Sequence, residues 1–321
     1  MLEIKREDKM EFQVKVLLLT FAVTVILSLI IVPILRKLKV GQQERDDGPQ
    51  SHLKKQGTPT MGGIIIIISM VIICAGLFYY YTNIRKEPTV AKNILPLLFV
   101  SIGFGLIGFI DDFKKLILKN TKGLKPAAKM LGLLIIAVAY TIFLTHVLKI
   151  GTDIYIPFAI FVMLATTNAI NLTDGIDGLS SSVTTIILTC LTVIGIIFDV
   201  KEITLFGSSL SGACLGFLLF NLYPSKVMMG DTGSLLLGGA VAAMALYLKM
   251  PLLLLIIAII PVLETLSVMI QVAHFKRTGN RIFKMAPLHH HFELSGWKEN
   301  KVVSVFSIIT LIACVIGLLA I

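Results

Sequence analysis

Five short stretches of this chain carry residue types that do chemistry on charged substrates, and each sits at the edge of a long apolar block. DDFKK at 111–115 sets Asp111 and Asp112 beside Lys114 and Lys115, with Lys119, Lys122 and Lys125 close behind. Adjacent carboxylates at a membrane boundary are costly unless they bind a cation, accept a proton or pair with lysine. The plainer reading is a solvated loop that neutralises itself. NAINLTDGIDG at 168–178 brings Asn168, Asn171, Asp174 and Asp177 into one short acidic turn. Those amides and carboxylates suit a metal ion or the edges of a base and a sugar, against a plain capping turn in which Asp177 or Ser180 opens the next helix. Asn221 and then MGDTGS at 229–234 place Asp231 at a helix start. A hard cation such as Mg²⁺ would take that carboxylate together with phosphate oxygens, although a helix dipole alone also favours an acid there.

The remaining two stretches are basic or neutral. KKQGTPTMGG at 54–63, with Lys55 and Thr60, reads as a helix entry whose glycines free backbone N–H groups to meet an anion. An ordinary cap and turn is the alternative. PLHHHFE at 287–293 holds His289, His290 and His291, half of the six histidines. Imidazoles can donate to phosphate oxygens. Zinc is the rival reading, but three consecutive side chains do not easily reach one tetrahedral ion.

Other features are read more plainly. Gly103, Gly105 and Gly108 fit a dinucleotide-binding spacing, but inside an apolar helix close helix packing explains them better. Glu264 lies mid-block, where a carboxylate is a functional candidate by default and a helix-packing hydrogen bond is the alternative. Trp297 reads as an interfacial anchor. Cys74, Cys190, Cys214 and Cys314 fall singly in apolar blocks, as small buried residues do.

The elements that must position these residues are long and greasy. Hydrophobic residues make up 56% of the chain and charged residues 15%, more apolar and less charged than soluble domains. The apolar residues come in blocks near 13–35, 61–80, 93–110, 128–147, 154–171, 179–198, 203–221, 231–248, 251–273 and 302–320. About 20 apolar residues cross a bilayer as a helix, whereas barrel strands would alternate with a period of two. The expectation is an all-α, polytopic membrane protein of about ten transmembrane helices, forming one domain over residues 1–321. The first block is too long for a signal-peptide core and reads as an anchor that stays. Of 29 Lys and Arg, 19 fall on the loops joining helices 1–2, 3–4, 5–6, 7–8 and 9–10 and six on the others. The positive-inside rule then puts those odd loops, and with them all five stretches, on the cytoplasmic face and both termini outside.

Carboxylates, lysines and an amide-rich turn suit a divalent cation and a diphosphate, and the surrounding helices suit a lipid. That combination points to phosphoryl transfer between a soluble phosphate donor and a lipid phosphate, driven mostly by charge neutralisation and alignment. A secondary transporter or flippase is the reading from another class, but its charges would lie near the midplane.

GTPTMGG at 57–63, DDFKK at 111–115, NLTDGIDGL at 171–179, MGDTGS at 229–234 and APLHHHFE at 286–293 together resemble the phospho-N-acetylmuramoyl-pentapeptide transferase family, over nearly the whole chain. The resemblance implies transfer of phospho-MurNAc-pentapeptide from UDP-MurNAc-pentapeptide to undecaprenyl phosphate, giving lipid I and UMP. This is the first membrane step of peptidoglycan synthesis, on which the cell wall, cell shape and division depend. The related chemistry with UDP-GlcNAc is the alternative within enzymes. The resemblance also implies Mg²⁺, a bacterial inner membrane, contact with membrane lipid, a homodimer and no nucleic-acid partner. By position, Asp231 matches a metal ligand. Asp111, Asp112, Asp174, His290 and Lys115 match catalytic positions. Lys55, Thr60, Lys119, Asn168, Asn171, Asp177, Asn221, His289 and His291 match substrate contacts. Glu264 falls in a PVLETLS stretch that also resembles the family, and Met228 stands where an aromatic ring commonly stacks on uracil.

Overall fold

A computed structural model describes residues 2–38, 57–116, 123–147, 149 and 155–321. Lys55 and Lys119 lie outside the described residues. Among those described there is no strand, and nine helices are long and apolar enough to cross a membrane.

The apolar blocks become α1 (Leu2–Lys37), α2 (Gly63–Tyr79), α3 (Pro88–Leu116), α4 (Pro126–Ile142), α5 (Tyr155–Thr173), α6 (Leu179–Ile197), α7 (Lys201–Asn221), α8 (Gly230–Tyr247), α9 (Leu254–Ile257), α10 (Ile259–Thr278), α11 (Leu288–Glu293) and α12 (Glu299–Leu319). α2 and α4 each end in a wider π turn, at Tyr80–Ile84 and Phe143–Val147. Eight of the expected spans agree with these helices, and two depart from expectation.

The first departure is α8, which is not among the nine membrane-compatible helices. It touches α2, α3, α5, α6 and α7, and every residue from Thr232 to Leu246 is buried. A helix wrapped by other helices does not face lipid, so small and polar residues replace the apolar ones a lipid-facing span needs. The second is the block near 251–273, which is not one helix. A 3₁₀ turn at Pro251–Leu253 and the single turn of α9 precede the break at Ala258, where φ is −104° and ψ is 32°. Pro261 accounts for the break: its ring lacks an N–H and collides with the carbonyl four residues earlier, at Ile257.

α6 and α7 carry most of their hydroxyl residues inside the protein. Thr185, Thr192 and Ser209 each donate to the carbonyl four residues back, at 2.6, 2.7 and 2.8 Å. Such back-bonding satisfies a hydroxyl where water is absent.

Close backbone approach fixes α8 against its neighbours. A Cβ at Gly108 would stand 2.1 Å from the Asp231 carbonyl oxygen, and one at Gly63 would stand 2.2 Å from the Gly233 nitrogen. The GxGxxG spacing in α3 is therefore a packing surface: Gly103 faces Ile136, Gly105 faces Leu236, and Gly108 faces Asp231. Gly108→Ala is expected to destabilise the protein by about 1–3 kcal/mol, as overpacking does. A lowered thermal midpoint in detergent checks this, and an unchanged midpoint would mean that the helices can part without cost.

Candidate active site

The ends of α3, α5, α7 and α10 and the starts of α2, α4, α6, α8 and α12 meet at one end of the bundle, and all five chemical stretches are joined there through direct contacts. The helix starts explain the geometry. Asp112, buried at the end of α3, accepts the Thr232 backbone N–H at 2.9 Å, the Thr232 hydroxyl at 2.7 Å and the Asp231 N–H at 3.3 Å. It is the cap of α8, supplied from another helix. That frees Asp231 from the dipole role expected of an acid at a helix start.

Asp231 instead reaches across the site. Its Oδ2 accepts from Lys129 Nζ at 2.8 Å and Lys115 Nζ at 3.1 Å, and its Oδ1 accepts from Asn171 Nδ2 at 2.9 Å. Asn171 also donates to Ser234 Oγ at 2.8 Å. Lys115 pairs as well with Asp111, one helical turn back, and Lys129 stands 3.9 Å from that same Asp111 oxygen. The other Asp111 oxygen accepts the Leu124 N–H at 2.6 Å. Two carboxylates from α3 and α8 thus share two ammoniums from α3 and α4, with an amide from α5 fixing the orientation. Lys129 was not among the residues singled out from the sequence. Its signal was a lysine at the mouth of an apolar block, just after Pro126, where a charge is costly without a partner.

The glycine-rich entry to α2 does something other than expected. Its amides are not free for an anion: Gly62 N–H donates to the Met228 carbonyl at 2.9 Å and Gly63 N–H to the Met229 carbonyl at 3.0 Å. Met228 N–H in turn donates to the Pro59 carbonyl at 2.8 Å. The glycines permit this backbone pairing, because a Cβ at Gly62 would lie 2.7 Å from the Met228 oxygen. Thr60 is buried beside it, and a Cβ at Gly230 would meet both the Thr60 hydroxyl and Asp112.

The stretch read from the sequence as one acidic turn is divided by the end of α5, which runs on to Thr173, so Asn168 and Asn171 lie in its last turns and only Asp174 and Asp177 lie in the turn proper. Asn171 joins the carboxylate cluster. Asn168 bonds back to the Leu164 carbonyl at 2.7 Å, within its own helix. Asp177 holds the next loop instead: its Oδ2 accepts the Ser225 N–H at 3.0 Å. Asn221 is buried and ties α6 to that loop, accepting from Ser181 Oγ at 2.6 Å and donating to the Val227 carbonyl at 3.0 Å. Neither Asp177 nor Ser180 caps α6, which starts on Gly178 in the left-handed region. Asp174 retains some exposure. Burial nevertheless pushes its carboxyl well above the usual carboxylate range, and the charges of Asp231, Asp112 and Asp177 add to the shift.

The rings of His289 and His290 lie 4.2 Å apart, yet each of the three histidines has a different hydrogen-bond partner. His289 is buried against Glu264, His290 Nδ1 lies 2.9 Å from Glu293, and His291 Nδ1 accepts the Lys284 N–H at 3.1 Å. Among the described residues no three His, Cys, Asp or Glu form a metal cage. His289 also contacts the acidic turn, since a Cβ at Gly175 would stand 2.1 Å from its Nε2.

A phospho-N-acetylmuramoyl-pentapeptide-transferase signature matches residues 55–67, and a profile of glycosyl transferase family 4 matches residues 94–249. The chain is 49% identical to the phospho-N-acetylmuramoyl-pentapeptide-transferase of Acetivibrio thermocellus, over 95% of this chain and 94% of that protein. The chain belongs to the phospho-N-acetylmuramoyl-pentapeptide-transferase family. A Clostridium botulinum transferase of the same name is 49% identical over 95% of both chains, and one from Clostridium kluyveri is 46% identical over 94% of this chain and 97% of its own. In this transferase the two blocks of matched sequence are the ones that the Gly62–Met228 pairing ties together, so the signature marks a backbone junction beneath the site.

The Asp174 shift carries a sign. A carboxyl whose folded-state pKa is raised stabilises the fold most below the unfolded value of about 3.9, and that contribution is lost as pH rises. Asp174→Asn cannot titrate. The thermal midpoint of the parent should therefore fall relative to that of Asp174→Asn as pH rises above about 3.9, the unfolded-state value. Parallel midpoint curves would show that residue 174 ionises normally.

Proposed function

We propose that this transferase moves phospho-MurNAc-pentapeptide from UDP-MurNAc-pentapeptide to undecaprenyl phosphate, releasing UMP and forming lipid I, on the cytoplasmic face of a bacterial inner membrane. The observation that carries this reading is the pair of carboxylates, Asp111 and Asp231, sharing Lys115 and Lys129 at the end of a membrane bundle. Two anionic phosphates must be brought together there, and positive charge aligned in advance is the largest contribution a protein makes to such a transfer. In the transfer an oxygen of the lipid phosphate bonds to the sugar-linked phosphorus while the bond from that phosphorus to the UMP oxygen breaks.

The donor set suits Mg²⁺. That ion takes hard oxygen ligands, keeps several waters, and is bound through one or two carboxylates plus substrate phosphates rather than by a protein cage. Asp231, with Asp111 beside it, provides such carboxylates. When bound, the ion would supply positive charge to the diphosphate. The chain's own residues do the rest. Lys115 and Lys129, released from their carboxylates, neutralise phosphate oxygens. Asn171 keeps Asp231 oriented. Asp112 is held by donors of the α8 helix start itself, whereas two of the donors on Asp111 are lysine ammoniums that phosphate oxygens can draw away, which leaves Asp111 better placed than Asp112 to take a proton from the lipid phosphate. Asp174, His290 and His291 line the same end and suit contacts to the donor. A cleft between α10 and the following loop has Val268, Val272 and Phe275 in its lining, with Lys276 and Arg281 also contributing. It pairs an apolar wall with cations, as a lipid phosphate requires.

The test is UMP release by purified protein from UDP-MurNAc-pentapeptide, with and without undecaprenyl phosphate and Mg²⁺, and with UDP-GlcNAc in parallel. Release that requires lipid and metal and that fails with UDP-GlcNAc is expected. Release without Mg²⁺ would overturn the metal assignment. Asp231→Asn should lose most turnover while staying folded, and near-parental activity would exclude Asp231 as a ligand.

Lys129→Met keeps the aliphatic stem and removes the closer ammonium on Asp231. It should lower kcat by about 10²-fold, a typical loss for a charge-stabilising group. Lys115→Ala should also lower kcat. Unchanged rates at saturating substrate in both variants would place the neutralising charge elsewhere.

A further inference from the structure

Glu264 has no part in the chemistry described so far, yet it is an acid with 0% exposure on an apolar helix. Its two oxygens are both used on one residue. Oε1 accepts the His289 backbone N–H at 3.2 Å, and Oε2 lies 3.1 Å from His289 Nδ1. With Glu264 as a carboxylate, which only accepts hydrogen bonds, the ring proton is assigned to Nδ1. In a neutral imidazole the other nitrogen, Nε2, then bears a lone pair.

That second nitrogen is fully buried and has no hydrogen-bond partner among the described residues. It bears directly on Gly175, in the turn between α5 and α6, where a Cβ would stand 2.1 Å away. A lone pair tolerates an approaching Cα–H group as a weak acceptor. An N–H in the same place would be a buried donor without an acceptor, pressed hydrogen to hydrogen against the glycine. The tautomer of His289 therefore decides how closely the turn can sit. Four residues before Gly175 on the same chain, Asn171 holds Asp231 at 2.9 Å.

We infer that Glu264 is a positioning residue for the transfer reaction, acting through the Nδ1–H tautomer of His289 to set the height of the turn that carries Asp174 and continues the end of α5, where Asn171 sits. The contacts run Glu264 to His289, His289 to Gly175, and from that turn through Asn171 to Asp231. This inference rests on the transferase reading above, since its readout is turnover. It assigns the His tract a mechanical part: His289 is a wedge beneath the turn, while His290 and His291 lie on other partners.

Glu264→Gln tests it with little change of shape. A glutamine has one acceptor oxygen, and the His289 backbone N–H, a donor only, requires it. The glutamine NH₂ then faces Nδ1, which must accept, so the ring proton moves to Nε2. The expected result is a folded protein with a thermal midpoint near the parent's, a similar KM for UDP-MurNAc-pentapeptide, and kcat lower by about 10²-fold or more. The basis is the loss seen when a carboxylate that fixes a histidine tautomer becomes an amide. Gly175→Ala, which pushes on the same contact from the other side, should also lower kcat. In a His289→Ala background Glu264→Gln should have little further effect, because the two changes then lie on one path.

An active parent with an equally active Glu264→Gln overturns the inference and leaves Glu264 a packing residue. If Glu264→Gln does not fold, Gly175→Ala decides: parental kcat there overturns the inference as well. A parent that releases no UMP from either sugar nucleotide overturns the proposed function itself, a result distinct from the other two.

Discussion

Everything at the site depends on how α8 is held. In a bilayer, apolarity gives helices little reason to prefer one another over lipid, so association relies on close packing and on hydrogen bonds between helices. α8 uses both at its first turn. Its backbone touches α3 at Gly108 and α2 at Gly63, and its free N–H groups are satisfied by Asp112 from α3. The same turn carries Asp231. A carboxylate placed this way needs no loop to aim it. The backbones of two other helices do so, and its three side-chain partners then complete the orientation.

The ionic arrangement follows from the surroundings. Two carboxylates near an apolar phase would repel and would favour protonation if left alone. Lys115 and Lys129 offset that cost by lying between them. The resting site is thus close to neutral while holding charges of both signs that an anionic reactant or a cation can recruit. The far end of the bundle shows the structural use of the same chemistry, where Lys201 pairs with Glu87 and Asn93 bonds to Glu202.

Much of this was legible in the sequence because membrane helices and their polar ends obey simple rules. Apolar length located the spans, and clustered polar residues at block edges located the site: Asp111, Lys115, Asn171 and Asp231 do converge. What escaped notice depended on partners far along the chain. Lys129 looked like one more basic residue until α4 brought it to Asp231. The amides of Gly62 and Gly63 looked available because nothing local shows that Met228 and Met229 consume them. Asp111 and Asp112 looked like one catalytic pair, but Asp112 caps α8 while Asp111 faces the lysines. The block at 251–273 hid its break because Pro261 is a single residue in an otherwise continuous apolar run. Glu264 was visible as an anomaly, and only the return of the chain at His289 gave it a partner.

The Gly108 contact has a consequence for how the protein meets membranes of different thickness. A bilayer that is too thick or too thin for a helix is accommodated largely by tilting it. A tilting pair of helices must pivot where the two backbones are pressed together. For α3 and α8 the tightest such point lies within one turn of Asp111 and Asp231, at the site end of the bundle. Tilt then swings the distant ends apart while the gap between the two carboxylates changes least. The active end is the fulcrum of the lever, so the spacing on which the chemistry relies is insulated from the lipid around it.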